Sequence, residues 1–245
     1  MPVRPYVRCP GLRNTAITLK TGKILGQYIL KTDSVHLEFD GRKILQDIYL
    51  DCRQGEVVGL LGRNGCGKSS LLRVIFGSLK PTYKHVSIDD KHIYKGYDDG
   101  RVAYLPQHNY LPQNIKIQSL AGTIIDPQFT DEFTSLSIYQ DHHHKKPGQL
   151  SGGELRQLET LMCIYSRADF ILLDEPFTHV SPVQAEMFKG IIRKCAKVKG
   201  IIVTDHQYYN ILDVANRIVL ITDGSTKAIN SPDDLIRYGY IGHII

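Results

Sequence analysis

The sequence has no apolar run approaching the roughly 18 residues that a membrane-spanning helix requires. A chain that crosses a bilayer on its own helices is therefore excluded. Cysteine is sparse and poorly placed for bonding: Cys9, Cys52, Cys66, Cys163 and Cys195 are odd in number, far apart and never in a C-x-x-C pair. That spacing suggests neither a disulfide framework nor a zinc cluster, and it fits a reducing, cytoplasmic setting. Internal repeats and a secretory apolar region are also missing. Acidic residues are absent from the first 32 positions, which carry Arg4, Arg8, Arg13, Lys20, Lys23 and Lys31. The formal charge of +5 resides there, because the remaining 24 basic residues face 25 acids. A nucleic-acid surface needs its basic excess clustered on a folded element, so DNA or RNA is not expected as a partner. Residues 1–32 read as a basic N-terminal extension: a transit signal or, as the plainer readings, a flexible tail or a start codon placed too early.

What is present is an ordinary globular composition, 42% hydrophobic and 22% charged, in a 245-residue chain long enough to bury its own core. Residues 33–245 read as one α/β domain. Val35–Phe39 alternates like a half-buried strand, and Glu56–Leu61 is a short apolar run of the covered, central kind. Ser69–Phe76 reads as a helix with Leu71, Leu72, Ile75 and Phe76 on one side, stopped by Gly77 and Pro81. A hairpin is expected around Asp89–Asp90, then a strand over Arg101–Leu105. Residues 108–150 are polar with weak helical patterns, a helical insert that ends in an exposed loop at His142, His143 and His144. Three consecutive histidines cannot all face one ion, so a solvated loop is the expectation. The α/β rhythm resumes with a helix over 153–166, a strand Phe170–Leu173, a helix from Pro182, strands Ile201–Thr204 and Arg217–Ile221, and a short helix Pro232–Tyr238.

Three motifs carry chemistry. Gly62-Arg63-Asn64-Gly65-Cys66-Gly67-Lys68-Ser69 matches G-x-x-x-x-G-K-[ST] between a predicted strand and a predicted helix. Its glycines let backbone amides point at phosphates, Lys68 supplies a positive charge, Ser69 offers a hydroxyl to magnesium, and the helix N-terminus adds its dipole. Cys66 sits in this loop near basic groups, the setting in which a thiol becomes reactive when nucleotide is absent. The second motif is Phe170-Ile171-Leu172-Leu173-Asp174-Glu175-Pro176, where an apolar strand delivers two acids at its carboxyl end. Asp174 can reach magnesium, and Glu175 is placed to polarise a water. The third is Leu150-Ser151-Gly152-Gly153-Glu154, a capping box whose exposed amides also suit an anion; its helix carries Leu155, Leu158, Met162 and Tyr165 inward.

From about Asp33 onward the chain resembles the nucleotide-binding subunit of the ATP-binding-cassette family, because phosphate loop, L-S-G-G-E and D-E-P occur in that order. The resemblance implies a P-loop NTPase core of cassette type with an antiparallel β subdomain and an inserted α-helical subdomain. It implies a magnesium-dependent ATPase, with ATP and Mg2+ as cofactors. Phe39 resembles the aromatic that stacks on adenine, Gln107 the glutamine that senses magnesium and the attacking water, and His206 the switch histidine at the γ-phosphate. Taken alone, these three also suit an edge core aromatic, a polar strand end and a helix-capping imidazole. By the same resemblance Glu175, His206 and Gln107 are catalytic, Ser69, Gln107 and Asp174 serve the metal, and Phe39, Gly62, Asn64, Gly65, Cys66, Gly67, Lys68, Ser69, Ser70, Ser151, Gly152 and Gly153 hold nucleotide. The family works as a head-to-tail dimer on an integral membrane permease. The implied partners are therefore a second cassette subunit, a homodimer ahead of a heterodimer, and a permease that holds the chain on the cytoplasmic face of a membrane. A soluble cassette ATPase acting in iron–sulfur assembly or DNA maintenance is the alternative. One position departs from the family pattern: Ser181 stands where an aspartate usually links the two active sites. With Pro182 and Gln184 it still makes a good helix start, but the charge is gone.

Overall fold

The computed structural model describes residues 28–178 and 180–241. The chain runs β1 (Ile29–Phe39), β2 (Arg42–Leu45), β3 (Tyr49–Arg53), β4 (Val57–Leu61), α1 (Lys68–Phe76), β5 (Tyr83–Ile88), β6 (Lys91–His92) and β7 (Val102–Leu105). It continues α2 (Ile117–Ile124), α3 (Thr130–Ser135), α4 (Ser137–His142), α5 (Gly152–Ile164), β8 (Phe170–Asp174), α6 (Pro182–Cys195), β9 (Gly200–Thr204), α7 (Tyr208–Val214), β10 (Arg217–Thr222), β11 (Ser225–Ile229) and α8 (Pro232–Arg237). Most of the basic extension, Cys9 included, lies outside the described residues, but its last residues do not. β1 begins at Ile29, with Leu30 and Thr32 buried, so the folded part starts before residue 33. The earlier boundary rested on charge, which says nothing about a strand whose alternate residues are apolar.

Two sheets result. One has the order β11-β10-β4-β9-β8-β7, parallel throughout except for β11 at its edge. β4, β8 and β9 are buried at every position, which is why they are written as unbroken apolar runs. Their side chains alternate between two cores. Val57, Leu61, Ile171, Leu173, Ile201 and Val203 face α5, α6 and the insert helices, and Val58, Leu60, Leu172 and Ile202 face α1 and the second sheet. That second sheet is antiparallel and built on β1. Residues 29–33 pair with β3 on one side and β5 on the other, and residues 37–39 pair with β2. The left-handed backbone at Ser34, φ 54°, falls where the partners change. α1 is thus enclosed between two sheets, with Leu71, Leu72, Val74 and Ile75 wholly buried.

Segment 108–150 holds α2, α3 and α4 with 3-10 turns at Pro127–Phe129 and Pro147–Gln149. Its Ile117, Phe129, Phe133 and Ile138 join the core beneath α5. Lys199 fixes this body to the sheet from below. Its buried ammonium donates to the carbonyls of Ser166 and Ala168 at the end of α5, with Asp126 at 3.9 Å. Short or mixed-pattern elements escape the sequence reading: β2, β3, β11 and α7 carry too few periodic residues to declare themselves.

α7 crosses β4 at Gly59, where a β-carbon would stand 2.4 Å from Ile211 Cγ2 and 2.7 Å from Ile218 Cδ1. Gly59→Ala is expected to cost about 1–3 kcal/mol by overpacking. For a chain of this size that is a fall in Tm of roughly 2–12 °C, read by thermal melts of the two proteins; an unchanged Tm would show that Ile211 and Ile218 yield freely.

Candidate functional site

Parallel strands present their carboxyl ends together, and here four of them, β4, β7, β8 and β9, feed one cluster. β4 ends in the phosphate loop. Gly67 is the N-cap of α1 with φ 104°, and a β-carbon there would lie 2.8 Å from Leu45 Cδ2, so only glycine suits both the backbone and the space. The cap supplies no side-chain acceptor and the first turn holds no acid, which leaves the N-terminal amides of α1 available to an anion. Lys68 is buried and donates from Nζ to the carbonyls of Gly62 at 2.7 Å and Arg63 at 3.3 Å. Without a phosphate, these carbonyls are its partners. The Cys66 amide donates to Arg63 O at 3.2 Å, while its side chain packs against the core under α1. Burial pushes the Cys66 thiol up despite Lys68 beside it, which corrects the expectation of a reactive cysteine.

β8 delivers Asp174, 1% exposed, and both of its oxygens are engaged. Ser69 Oγ donates to Oδ1 and Tyr104 OH to Oδ2, each at 2.9 Å. Burial raises this carboxyl, and the two hydroxyls hold it down again only in part. Gln107 Nε2 donates to Ser69 Oγ at 3.2 Å, so Ser69, Gln107 and Asp174 form one polar knot. Glu175 follows in a left-handed backbone, φ 55°, an unfavourable conformation for glutamate. Its amide donates to Thr204 O at 2.8 Å, one step beyond the β8–β9 ladder. Thr178 Oγ1 lies 3.4 Å from both Glu175 Oε2 and His206 Nδ1, and His206 Nδ1 is 3.8 Å from Glu175 Oε2.

A cavity of about 610 Å³ gathers Phe39, Asn64, Gly65, Lys68, Glu175 and His206, along with Ser69, Ser70 and Gln107. Phe39 is 46% exposed at the cavity mouth, so it is not an edge aromatic of the core. A second cavity of about 430 Å³ shares Gln107 and Glu175 with the first and is bounded by Gly152 and Gly153. Ser151 caps α5 as expected, its Oγ accepting from the Glu154 amide at 3.4 Å and donating to Glu154 Oε2 at 2.6 Å. The bonds from the Ser151 hydroxyl and amide, with the nearby charge of Lys145, lower the Glu154 carboxyl. The exposed turn expected at the histidines holds for His144, which follows α4, but not for His142. His142 closes α4, half-buried, with Nε2 3.2 Å from Glu154 Oε1. Lys145 Nζ donates to its Nδ1 at 3.1 Å, which leaves the ring hydrogen on Nε2 to face Glu154.

The family model described as ABC transporter matches residues 45–178, more than half of the chain. The chain belongs to the ABC transporter family. It is similar to a probable ABC transporter ATP-binding protein of Azorhizobium caulinodans, 29% identical over 213 residues that cover 81% of this chain and 75% of the relative. It is also similar to the lipopolysaccharide export system ATP-binding protein LptB of Haemophilus influenzae, 29% identical over 243 residues, 87% of this chain and 97% of that one. The structure of an ATP-binding subunit of an ABC transporter superposes with a TM-score of 0.72 at 20% identity, covering 88% of this chain and 95% of that one, which bears out the fold.

Four residues of this ABC protein's site were not singled out by the sequence. Tyr104 sits in a mixed stretch of β7 whose facing cannot be told from periodicity. Arg156 on α5 donates to Pro106 O at 2.6 Å and to the carbonyls of Asp174 and Glu175 at 3.1 and 3.2 Å. One turn on, the buried carboxylate of Glu159 accepts from the amides of Tyr110 and Leu111 at 2.7 and 3.2 Å. The loop that carries Gln107 is therefore bound to α5 on both sides of that glutamine. Asp205 did carry a signal, since it ends an apolar strand as Asp174 does.

The raised Asp174 carboxyl has a consequence for stability. A group whose folded pKa lies above its unfolded value opposes folding while ionised, and the opposition fades as pH falls through the folded pKa. Asn keeps the shape and can bond both hydroxyls. Asp174→Asn is therefore expected to melt higher than the parent without nucleotide at pH 7, with the gap narrowing as pH is lowered towards 4. A variant that melts lower at pH 7 would mean that the two hydroxyl bonds outweigh desolvation.

Proposed function

We propose that this chain is the ATP-hydrolysing subunit of an ABC transporter, driving a separate membrane permease. Among the described residues no helix is long and apolar enough to cross a membrane, so the transport path belongs to another chain. The observation that carries the site assignment is the convergence of Lys68, Ser69, Gln107, Glu175 and His206 on one cavity at the carboxyl ends of the sheet. ATP enters with adenine on Phe39. Lys68 exchanges the Gly62 and Arg63 carbonyls for the β- and γ-phosphates, and the amides of the loop over Gly62, Asn64, Gly65, Cys66 and Gly67, with Ser69 and Ser70 at the start of α1, cradle the oxygens. The hydroxyl of Ser69, the carboxylate of Asp174 and the amide oxygen of Gln107 are hard oxygen donors that fit Mg2+, and they would hold it; the ion would neutralise charge on the phosphates. Glu175 orients the attacking water and draws its proton. His206 holds the γ-phosphate from the far side, with Thr178 tying it to Glu175.

The free amides at the start of α5 await a phosphate that its own phosphate loop does not supply. A second copy closes head to tail, so that Ser151, Gly152 and Gly153 of each subunit cover the ATP held by the other. The homodimer sits peripherally on the cytoplasmic face of its membrane. Ser181 removes a carboxylate from the loop between the two sites and weakens their coupling.

Glu175→Gln is expected to lower kcat about 100- to 10,000-fold while ATP still binds, and Lys68→Ala to weaken ATP binding at least about tenfold, some 1.4 kcal/mol. Retained hydrolysis in the first variant would remove Glu175 as the base. Light scattering of Glu175→Gln with saturating ATP and magnesium should give a dimer mass, and persistent monomers would point to a different second subunit. A mild-detergent pull-down from native membranes should recover a multi-span partner in stoichiometric amount. Recovery with soluble proteins alone would overturn the transport role and leave the ATPase intact.

A further inference from the structure

Two apolar strands of the central sheet each end in a buried acid. Asp174 belongs to the site described above. Asp205, one residue beyond β9, is 0% exposed and does not itself line the nucleotide cavity. A carboxylate in such a place costs desolvation, and an apolar side chain would pack there without that cost. Its partners supply the reason for it. Oδ2 accepts from the Phe177 amide at 3.1 Å, and Oδ1 accepts from the Gln207 amide at 2.9 Å. Phe177 immediately precedes Thr178, and Gln207 immediately follows His206. The two bonds therefore pin the backbone on either side of the Thr178–His206 contact, and Thr178 in turn touches Glu175. Glu175 stands in a left-handed backbone, so the turn after β8 needs an external hold to keep its shape. Charged and titratable neighbours of the carboxylate include His206, at 3.6 Å, Glu175 and Tyr240.

We propose that Asp205 is a positioning residue for hydrolysis: its carboxylate latches the turn after β8 to the turn after β9 and so fixes Glu175 against His206. The latch rests on the assignment of Glu175 and His206 to hydrolysis made above. It is expected to act on the hydrolytic step more than on nucleotide binding, because both of its hydrogen bonds go to the turns that carry Glu175 and His206 and neither goes to the phosphate loop. An Asn at this position keeps the volume but turns an amino group toward one of the two backbone amides, which breaks the latch on one side only.

The test compares kcat and KM for ATP in the parent, Asp205→Asn and Glu175→Gln, with amide hydrogen exchange at Phe177 and Gln207 in each. Asp205→Asn is expected to lose about 10- to 100-fold in kcat, the effect of misplacing reacting groups by about an ångström. Its KM should stay within about twofold, and at least one of the two amides should exchange faster. Parental kcat in Asp205→Asn, with Glu175→Gln inactive, would overturn the latch alone. Hydrolysis retained by Glu175→Gln would overturn the underlying assignment instead. A parallel loss of kcat, ATP affinity and Tm in Asp205→Asn would make the residue a general fold element and also overturn the proposal. Should Asp205→Asn not fold, Gln207→Pro carries the same test. It deletes one donor at a residue whose φ of −86° lies near the proline range, and it should lower kcat by a smaller factor with KM unchanged; unaltered kcat there would overturn the latch.

Discussion

A parallel strand covered on both faces has nowhere to put a polar side chain except at its end. β4, β8 and β9 are buried at every position, so Val, Ile, Leu, Phe and Gly fill them until their last residues. The polar groups at and just beyond those ends include Asn64, Asp174 with Glu175, and Asp205 with His206. Because the strands are parallel and in register, these ends lie side by side, and the phosphate loop, the acids and the histidine meet without further design. The placement has an energetic cost. Asp174 and Asp205 sit at the mouth of an apolar layer, and burial raises both carboxyls. Hydroxyls from Ser69 and Tyr104 offset part of this for one, and backbone amides for the other. Both compensations also fix geometry, so the groups that make the site tolerable are the ones that hold it in shape.

α5 has a double allegiance that follows from the same layout. Its apolar face is shared with the insert through Leu158, Met162 and Tyr165, while Arg156 and Glu159 reach the other way to the loop after β7. Gln107 hangs on that loop between the two attachments. Gln107 in turn donates to Ser69, so α5, the loop after β7 and the start of α1 are joined by one connected set of bonds. The pair His142–Glu154 extends the connection to the very start of α5, where Ser151 stands.

The parts of this architecture that were legible in the sequence are those where one physical rule acts alone. Buried strands show as apolar runs, the phosphate loop as glycines at fixed spacing, and the starts of α5 and α6 as capping boxes at Ser151 and Ser181. What stayed hidden depends on contacts between distant segments. Tyr104 is an ordinary strand aromatic until Asp174 is placed opposite it, and Arg156 an ordinary helix cation until Pro106 comes within reach. Cys66 looked reactive because Lys68 is its neighbour in sequence, but the thiol turns under α1 into the core, where desolvation outweighs the charge. His142 departs from the expected loop for the opposite reason: its polarity reads as solvent exposure, whereas α4 brings it against a carboxylate, while His144 stays exposed in the turn that follows. Ile29 to Thr32 failed because charge, a statement about solubility and partners, was used as a boundary marker for a strand.

Ser181 separates these two kinds of information. Its hydroxyl accepts from the Gln184 amide at 3.3 Å and its own amide donates to Gln184 Oε1 at 2.9 Å, a complete cap for α6. Aspartate is as good a residue at that position, so the stability of α6 gives no reason to prefer serine. Pro182 and the basic last turn of α6, with Arg193 and Lys194, complete the helix whichever residue caps it. The departure therefore changes nothing that the fold needs. What it changes is a single negative charge on the loop that follows Glu175, beside Val183, which is 81% exposed. A difference that leaves the helix indifferent and alters only the charge of an exposed loop must act on whatever meets that loop. In the head-to-tail pair proposed above, that is the second subunit.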